Sequence, residues 1–369
     1  MKIGIDAREM MGRPTGVGRY LSELLRVWSA PESGVAGRHE FLLYGPAPLA
    51  ESSQAAFAPL RAVQRVVAGA GGTAWEQVSL RRAVAADHLD VFFAPAYTAP
   101  FGTGCPRVVT IHDLSFCAHP EWFSWREGLR RRVLTRAAAR RAAVVVTDSR
   151  FSASEIESHL GVPASRVRVI PLGVAPPAPV GGGAAPDATR EPLILFVGSI
   201  FNRRRLPDLM RAFAGLCESH ANARLLIIGE NRTFPRQDLH RIAADCGITD
   251  RVSIRPYVSD QELAEAYRSA SVFAFLSEYE GFGLTPLEAL ACGIPTVVLD
   301  TSVAREVLQD SAVYLSPGDI PGTTAALSDL LTNATRRAAQ LLAARRVLAQ
   351  YSWPDAGRAT IEAIEHAAT

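Results

Sequence analysis

Short apolar runs recur along the chain, each bounded by glycine, proline or charged residues. Runs at 2–6, 40–44, 91–94, 107–112, 144–148 and 167–171 predict buried strands; Val91-Phe-Phe-Ala94 is representative. Longer stretches between them predict helices at 18–28, 75–85 and 125–142. The rhythm restarts with strands at 193–198, 224–229, 252–255, 272–276, 295–299 and 312–315. Strands that alternate with helices imply parallel sheets covered on both faces. Between the two series lies Gly173-Val-Ala-Pro-Pro-Ala-Pro-Val-Gly-Gly-Gly-Ala-Ala-Pro186, which suits neither a helix nor a central strand and predicts a linker. The expected architecture is α/β: two Rossmann-like domains, 1–172 and 191–352, with parallel sheets facing across a cleft and a linker at 173–190. A final helix is predicted at 354–366.

Composition narrows the classes. At 369 residues the chain has room for two cores. Its net charge of +2 gives no global field for nucleic acid, which is not an expected partner. Lys2 is the sole lysine, so arginine supplies almost all positive charge, a bias that warns against over-reading any single arginine. Cys105, Cys117, Cys217, Cys246 and Cys292 are scattered, which predicts free thiols and a reducing cytoplasm. The chain opens on a predicted strand, so no leader is expected in front of the fold, and no apolar run reaches the roughly 20 residues that span a bilayer.

Chemistry gathers where strands end. The densest stretch is Ser277-Glu-Tyr-Glu-Gly-Phe-Gly-Leu-Thr-Pro-Leu-Glu288, between a strand and a helix. Pro286 falls in the first helical turn, where its missing N–H costs nothing. Backbone N–H groups at such a bend suit a phosphate. Glu280 and Glu288 would repel phosphate and so are expected to serve hydroxyl groups; together these features suggest a phosphorylated sugar. Taken alone, Thr285 and Glu288 stand at capping-box spacing and Glu280 reads as a turn residue.

Other strand ends carry further candidates. Thr15-Gly-Val-Gly-Arg-Tyr20 follows the first strand, so the Gly16 and Gly18 amides are placed to approach a diphosphate. The third glycine of a dinucleotide fingerprint is missing, which argues against nicotinamide or flavin. Val109-Thr-Ile-His-Asp-Leu-Ser115 delivers His112 and Asp113 to a strand end, where a lone histidine is more often structural than functional. Phe196-Val-Gly-Ser-Ile-Phe-Asn-Arg-Arg-Arg-Leu-Pro207 sets three arginines before a helix, as either a phosphate site or a solvated charge run. The segment 121–136 mixes tryptophan, phenylalanine and arginine, which fits either an anionic membrane surface or a packed surface helix. No Asp-x-Asp occurs, so metal-independent chemistry is expected.

The stretches 4–20, 109–115, 196–207 and 277–298 together resemble the family-4 retaining glycosyltransferases of GT-B architecture, over nearly the full length. The resemblance implies an enzyme that moves a hexose from a nucleoside-diphosphate sugar to a hydroxyl, keeping the anomeric configuration. Same-face attack assisted by the departing phosphate is the family's favoured route; whether Glu280 acts as a nucleophile stays open. By the same resemblance Arg203 and Arg204 neutralise the leaving diphosphate, at positions where the family commonly has Arg-Lys. Phe201 and Asn202 depart from the commoner Glu-Pro, so which of Arg203, Arg204 and Arg205 meets phosphate is open. Glu280 is expected to hold sugar hydroxyls, Glu288 the ribose, and His112 the donor sugar. Gly198, Gly281, Phe282, Gly283, Leu284 and Thr285 would line the donor site, with backbone contacts to the base at Tyr257 and Val258. Asp113 either holds its neighbour's ring or meets the acceptor, for which Tyr97 and the loops 45–72 and 97–104 are candidates.

The arginine pair is similar to that of mannosyltransferases, which favours GDP-mannose as co-substrate, with no other cofactor and no metal. A glycan, lipid-linked or small-molecule acceptor, as in polysaccharide biosynthesis, fits equally. The expected location is cytoplasmic, with peripheral contact at the inner membrane face through 121–141. The tail helix, 353–369, is implied to pack back on the first domain. A sugar-nucleotide epimerase or a non-catalytic nucleotide-sugar-binding protein is the alternative.

Overall fold

The computed structural model describes residues 1–12, 16–175 and 192–369, the side chains of residues 52 and 53 excepted. Most of the expected linker therefore lies outside the described residues. The chain forms two compact units. The first holds Met1–Ala118, Trp125–Gly173 and Tyr351–Thr369; the second holds His119–Ser124 and Val174–Gln350. The expected first domain, 1–172, thus gives up residues 119–124 to the second unit.

The first sheet has seven strands: β1 (Lys2–Asp6), β2 (Glu40–Gly45), β3 (Val63–Val66), β4 (Val91–Ala94), β5 (Arg107–Thr110), β6 (Val144–Thr147) and β7 (Val167–Val169). Their order is β3-β2-β1-β4-β5-β6-β7 and every pairing is parallel. The second sheet has six: β8 (Leu193–Val197), β9 (Arg224–Ile228), β10 (Val252–Arg255), β11 (Val272–Phe275), β12 (Thr296–Leu299) and β13 (Val313–Leu315). Their order is β10-β9-β8-β11-β12-β13, again all parallel. Central strands β4, β6, β11 and β12 are buried at every residue, which is why each reads as an unbroken apolar run.

The order explains where chemistry falls. In each sheet the winding reverses once, between β1 and β4 and between β8 and β11. Helices leave in opposite directions at that point, so the C-terminal strand ends there face a crevice that no crossover covers. Parallel pairing then brings the loops after β8, β9, β10 and β11 to one edge of the second sheet.

Three local readings need correction. The helix predicted from residue 18 starts at Gly16 and runs to Ser29, so Gly16 is helical and not in the loop before it; residues 13–15 are outside the described residues. Strand β3 was not predicted, because its exposed edge position lets Val63-Gln-Arg-Val66 do without a buried face. The helix expected at 75–85 is a π-turn, Trp75–Leu80, running into Arg81–Ala86.

The tail helix Trp353–Ala368 belongs to the first unit. Trp28 Nε1 donates to the Gly357 carbonyl at 2.8 Å. Gly357 permits this approach, since a Cβ there would lie 2.6 Å from Val27 Cγ1.

Candidate active site

In the second unit, the loops after β8 and β11 meet at the winding reversal. Strand β8 ends at Gly198, whose φ of +139° suits glycine, and a Cβ there would sit 2.1 Å from Arg204 Nη1. Glycine at 198 therefore makes room for a guanidinium. The chain then makes a 3-10 turn at Asn202–Arg204 and passes through Arg205 in the left-handed region, φ +48°. That conformation costs an L-residue about 1–2 kcal/mol. Two ion pairs offset it: Arg205 Nε to Asp208 Oδ2 at 2.5 Å, and Nη1 to Glu278 Oε1 at 2.6 Å. The helix Leu206–Ser219 starts directly after, with Pro207 in its first turn.

Arg203 and Arg204 are presented differently. Arg204 Nε donates to Glu280 Oε1 at 3.1 Å and Nη2 to Oε2 at 3.5 Å. Arg203 Nε lies 3.9 Å from the same carboxylate. Ser277 Oγ donates to Glu280 Oε1 at 2.7 Å, and the Glu278 N–H donates to the Arg203 carbonyl at 2.9 Å. Aromatic faces hold the guanidinium groups: Arg203 lies 4.5 Å from the Phe201 ring centre and Arg204 4.7 Å from that of Phe275. Phe201, a departure from the family pattern, thus supports the arginine two residues on. Asn202 fixes the far side of the turn, its Oδ1 accepting from the Phe234 N–H at 2.6 Å.

The carboxylate that follows is not a helix cap. The helix Leu284–Ala291 begins after Gly283, φ +91°, with no side-chain cap, and Glu288 lies in its interior. Glu288 is buried and accepts from Tyr267 Oη at 3.1 Å. Tyr267 was not anticipated; it sits on the helix Asp260–Ser269, beyond any local spacing rule. Gly281 and Phe282 are buried, while Gly283, Leu284 and Thr285 are partly exposed at the helix start, where backbone N–H groups lack intrahelical partners. Tyr257, exposed, and Val258, buried, follow β10 on the same sheet edge.

The first unit presents a closed polar arrangement. His112 Nδ1 lies 2.7 Å from Asp148 Oδ2 and Nε2 lies 2.9 Å from the Pro95 carbonyl. Both partners are acceptors, so full satisfaction requires the imidazolium. Burial opposes that charge, but Asp148 and the Pro95 carbonyl outweigh it and raise the His112 pKa. Tyr20 and Tyr97 meet the ring edge-on at 5.0 and 5.9 Å. The sugar-orienting role expected of His112 therefore meets a ring whose nitrogens both have protein partners. Asp113 does not hold that ring; its Oδ1 accepts from the Ser115 N–H and Oγ at 3.0 and 2.8 Å, starting the short helix Ser115–Ala118.

A second cluster lies at the end of β1. Arg8 Nη2 pairs with Asp6 at 2.8 Å and with Glu76. Thr98 Oγ1 donates to Glu76 Oε2 at 2.6 Å, and Arg8 Nη1 reaches the Gly71 carbonyl at 3.4 Å. Glu76 thereby ties the loops around 71 and 98, both acceptor candidates from sequence. Burial pushes the Asp6 carboxyl up to about 6, against the opposing pull of Arg8.

Residues 14–176 match the family described as Glycosyltransferase Family 4, and residues 184–346 match Glycosyl transferases group 1. The chain is 32% identical over 235 residues to a D-inositol 3-phosphate glycosyltransferase of Xylanimonas cellulosilytica, covering 59% of this chain and 55% of that one. It thus spans little more than half of that relative. An O-antigen chain mannosyltransferase B of Escherichia coli is 27% identical over 268 residues, 69% of each chain. In fold, HepE of Anabaena, solved with UDP and glucose, matches with a TM-score of 0.74 over 99% of both chains at 19% identity.

Proposed function

Since the chain belongs to family 4 of the glycosyltransferases, we propose that it transfers a hexose from a nucleoside-diphosphate sugar to a hydroxyl acceptor, with retention. One observation carries this reading: Arg203 and Arg204 converge on the carboxylate of Glu280 at the winding reversal of the second sheet, which sets two guanidinium groups beside one acidic side chain. Arg205 is matched by Asp208 and Glu278, so Arg203 and Arg204 are the phosphate ligands. A guanidinium carries five N–H donors, so Arg204 can hold Glu280 and a phosphate oxygen together.

As the glycosidic bond breaks, negative charge grows on the diphosphate. Arg203, Arg204 and the N–H groups at the start of Leu284–Ala291 stabilise it without reorganising. Glu280, fixed by Arg204 and Ser277, accepts from sugar hydroxyls; Glu288, fixed by Tyr267, accepts from the ribose. The arginines supply the charge a bridging metal would supply, and transfer is metal-independent. The mannosyltransferase relative and the arginine pair favour GDP-mannose as donor. A titration panel of GDP-mannose, UDP-glucose and an ADP-sugar decides the donor; tight binding of UDP-glucose alone would overturn that choice. Nucleotide release measured with and without acceptor extract separates transfer from epimerisation and from simple binding.

A lipid-linked acceptor at an anionic membrane face completes the reading. On the helix Trp125–Arg141, Trp125, Leu129 and Val133 are exposed at four-residue spacing, beside Arg126, Arg130 and Arg136. Within the expected segment 121–141 these exposed apolar side chains all lie on this helix, while residues 119–124 group with the second unit. Among the described residues no helix is long and apolar enough to cross a membrane. Flotation with anionic vesicles should bind the parent and lose a variant with Arg126, Arg130 and Arg136 changed to Gln; equal flotation removes the membrane contact.

A further inference from the structure

The short segment His119–Ser124 is flanked in sequence by helices of the first unit, Ser115–Ala118 and Trp125–Arg141, yet groups with the second unit. Its backbone makes one 3-10 turn, Pro120–Trp122, with His119 as the preceding cap residue. A 3-10 turn eclipses side chains three apart, so His119 and Trp122 fall one over the other. Their rings stack at 3.9 Å with 14° between planes. Glu121 Oε1, 3.0 Å from His119 Nδ1, fixes the imidazole orientation.

That stack meets Tyr279 edge-on, at 5.5 Å from His119 and 6.4 Å from Trp122. Tyr279 is buried and directly precedes Glu280. The neighbouring ties of this turn are polar. Ser277 and Arg204 hold Glu280, Arg205 holds Glu278, and the Arg203 carbonyl holds the Glu278 N–H. Three of these four ties run to the arginine turn 203–205. Although Arg204 can hold Glu280 and a phosphate oxygen together, a phosphate that draws on those arginines competes for the same guanidinium charge and weakens each carboxylate tie. An aromatic contact is indifferent to that competition, since it carries no net charge to be displaced.

We propose that His119 and Trp122 are positioning residues for Glu280: their ring stack clamps Tyr279 and keeps the turn 277–280 in place when an anion engages Arg203 and Arg204. The clamp rests on the donor-site reading for its purpose, but not for its existence. It makes the second unit's donor site depend on a segment that lies far away in sequence, between two helices of the first unit.

The test is amide hydrogen exchange on the full chain, comparing the parent with Trp122→Ala and Trp122→Phe. Amides at 278–280 should exchange at least tenfold faster in Trp122→Ala, with β8 (Leu193–Val197) unchanged and Trp122→Phe close to the parent. Unchanged exchange at 278–280 overturns the clamp, as does an equal rise in β8, which would mark general destabilisation. Should Trp122→Ala not fold, His119→Ala removes half of the stack and is read in the same way. Titration supplies the functional arm: GDP-mannose should bind Trp122→Ala roughly fivefold more weakly, with GDP unchanged, because only the sugar half needs Glu280. Equal weakening of both ligands counts against positioning of Glu280. A parent that binds neither ligand removes the donor reading, while the exchange result still decides the clamp.

Discussion

The two sheets share one winding order but use their charges in opposite ways. In the first unit the carboxylates of Asp6, Glu76 and Asp148 are 2–4% exposed, and each faces a cation of the same unit. Arg8 faces two carboxylates and His112 one, so these two cations are matched inside the unit. In the second unit Glu280, Glu278 and Asp208 are 12–29% exposed; Arg203 and Arg204 converge on Glu280, and Arg205 and Arg211 on Asp208. One winding order thus carries a buried, mutually paired polar cluster in one sheet and a partly open, arginine-lined edge in the other. Topology places a crevice; the local charge balance decides whether it takes an anion.

This contrast can be broken most forcefully at the arginines. Arg203→Ala or Arg204→Ala should lower kcat/KM by about 10²–10³, the scale of losing a preorganised donor to developing charge. Arg205→Ala, whose guanidinium serves Asp208 and Glu278, should lose under about tenfold. Steady-state kinetics with saturating acceptor compares the three, and equal losses would erase the distinction.

Substitution in the first unit should cost stability before it costs donor affinity. His112→Ala leaves Asp148 buried opposite nothing, a loss of about 3 kcal/mol by denaturant titration. The pH dependence has a definite sign. The folded pKa of His112 is raised above its ordinary 6.5, so its stabilisation is complete below pH 6.5 and is lost as pH rises through the raised value. Parent stability should fall over that rise, and the His112→Ala variant should lack this component. A parallel pH profile in both would contradict the charged assignment.

Smaller effects sharpen the picture. Glu288→Ala should weaken donor binding about tenfold while changing turnover of bound donor less, consistent with a hydrogen-bonded role worth about 1.5 kcal/mol. Tyr267→Phe should show a fraction of that loss. Unchanged donor affinity in Glu288→Ala would remove the ribose role. Arg8→Ala, which unties the loops around 71 and 98, should raise acceptor KM a few-fold and leave donor affinity alone. A change confined to donor affinity would move this cluster out of the acceptor account.

Sequence legibility followed burial. Central strands such as β4 and β11 announce themselves because both faces must be apolar. Edge strand β3 does not, since Gln64 and Arg65 meet solvent at no cost. Within the site, residues joined by short spacing were visible: Arg203, Arg204, Glu280, Gly198 and Gly283 all sit in two brief motifs. Their supporting partners were not. Asp148 meets His112 across 36 residues, and Tyr267 reaches Glu288 from another helix. Glu76 holds Arg8 from the predicted helix at 75–85, across 68 residues. Tertiary hydrogen bonds carry no local pattern, so the ring-holding role offered to Asp113 belongs to Asp148. Likewise the segment from Glu121 fits either a membrane surface or a packed surface helix by composition, and neither reading points to the separate turn that Pro120 opens, whose rings pack on Tyr279.

The central claim is that the guanidinium groups of Arg203 and Arg204, after β8, bind a nucleotide's diphosphate. Thermal shift with GDP-mannose, UDP-glucose and an ADP-sugar, on the parent and on an Arg203→Ala/Arg204→Ala double variant, tests it most directly, because a ligand that binds only the folded state raises Tm. The account predicts that at least one of these donors raises the parent Tm by several degrees and leaves the double variant unmoved. An equal shift in both proteins, or none in the parent with any of the three, would contradict it.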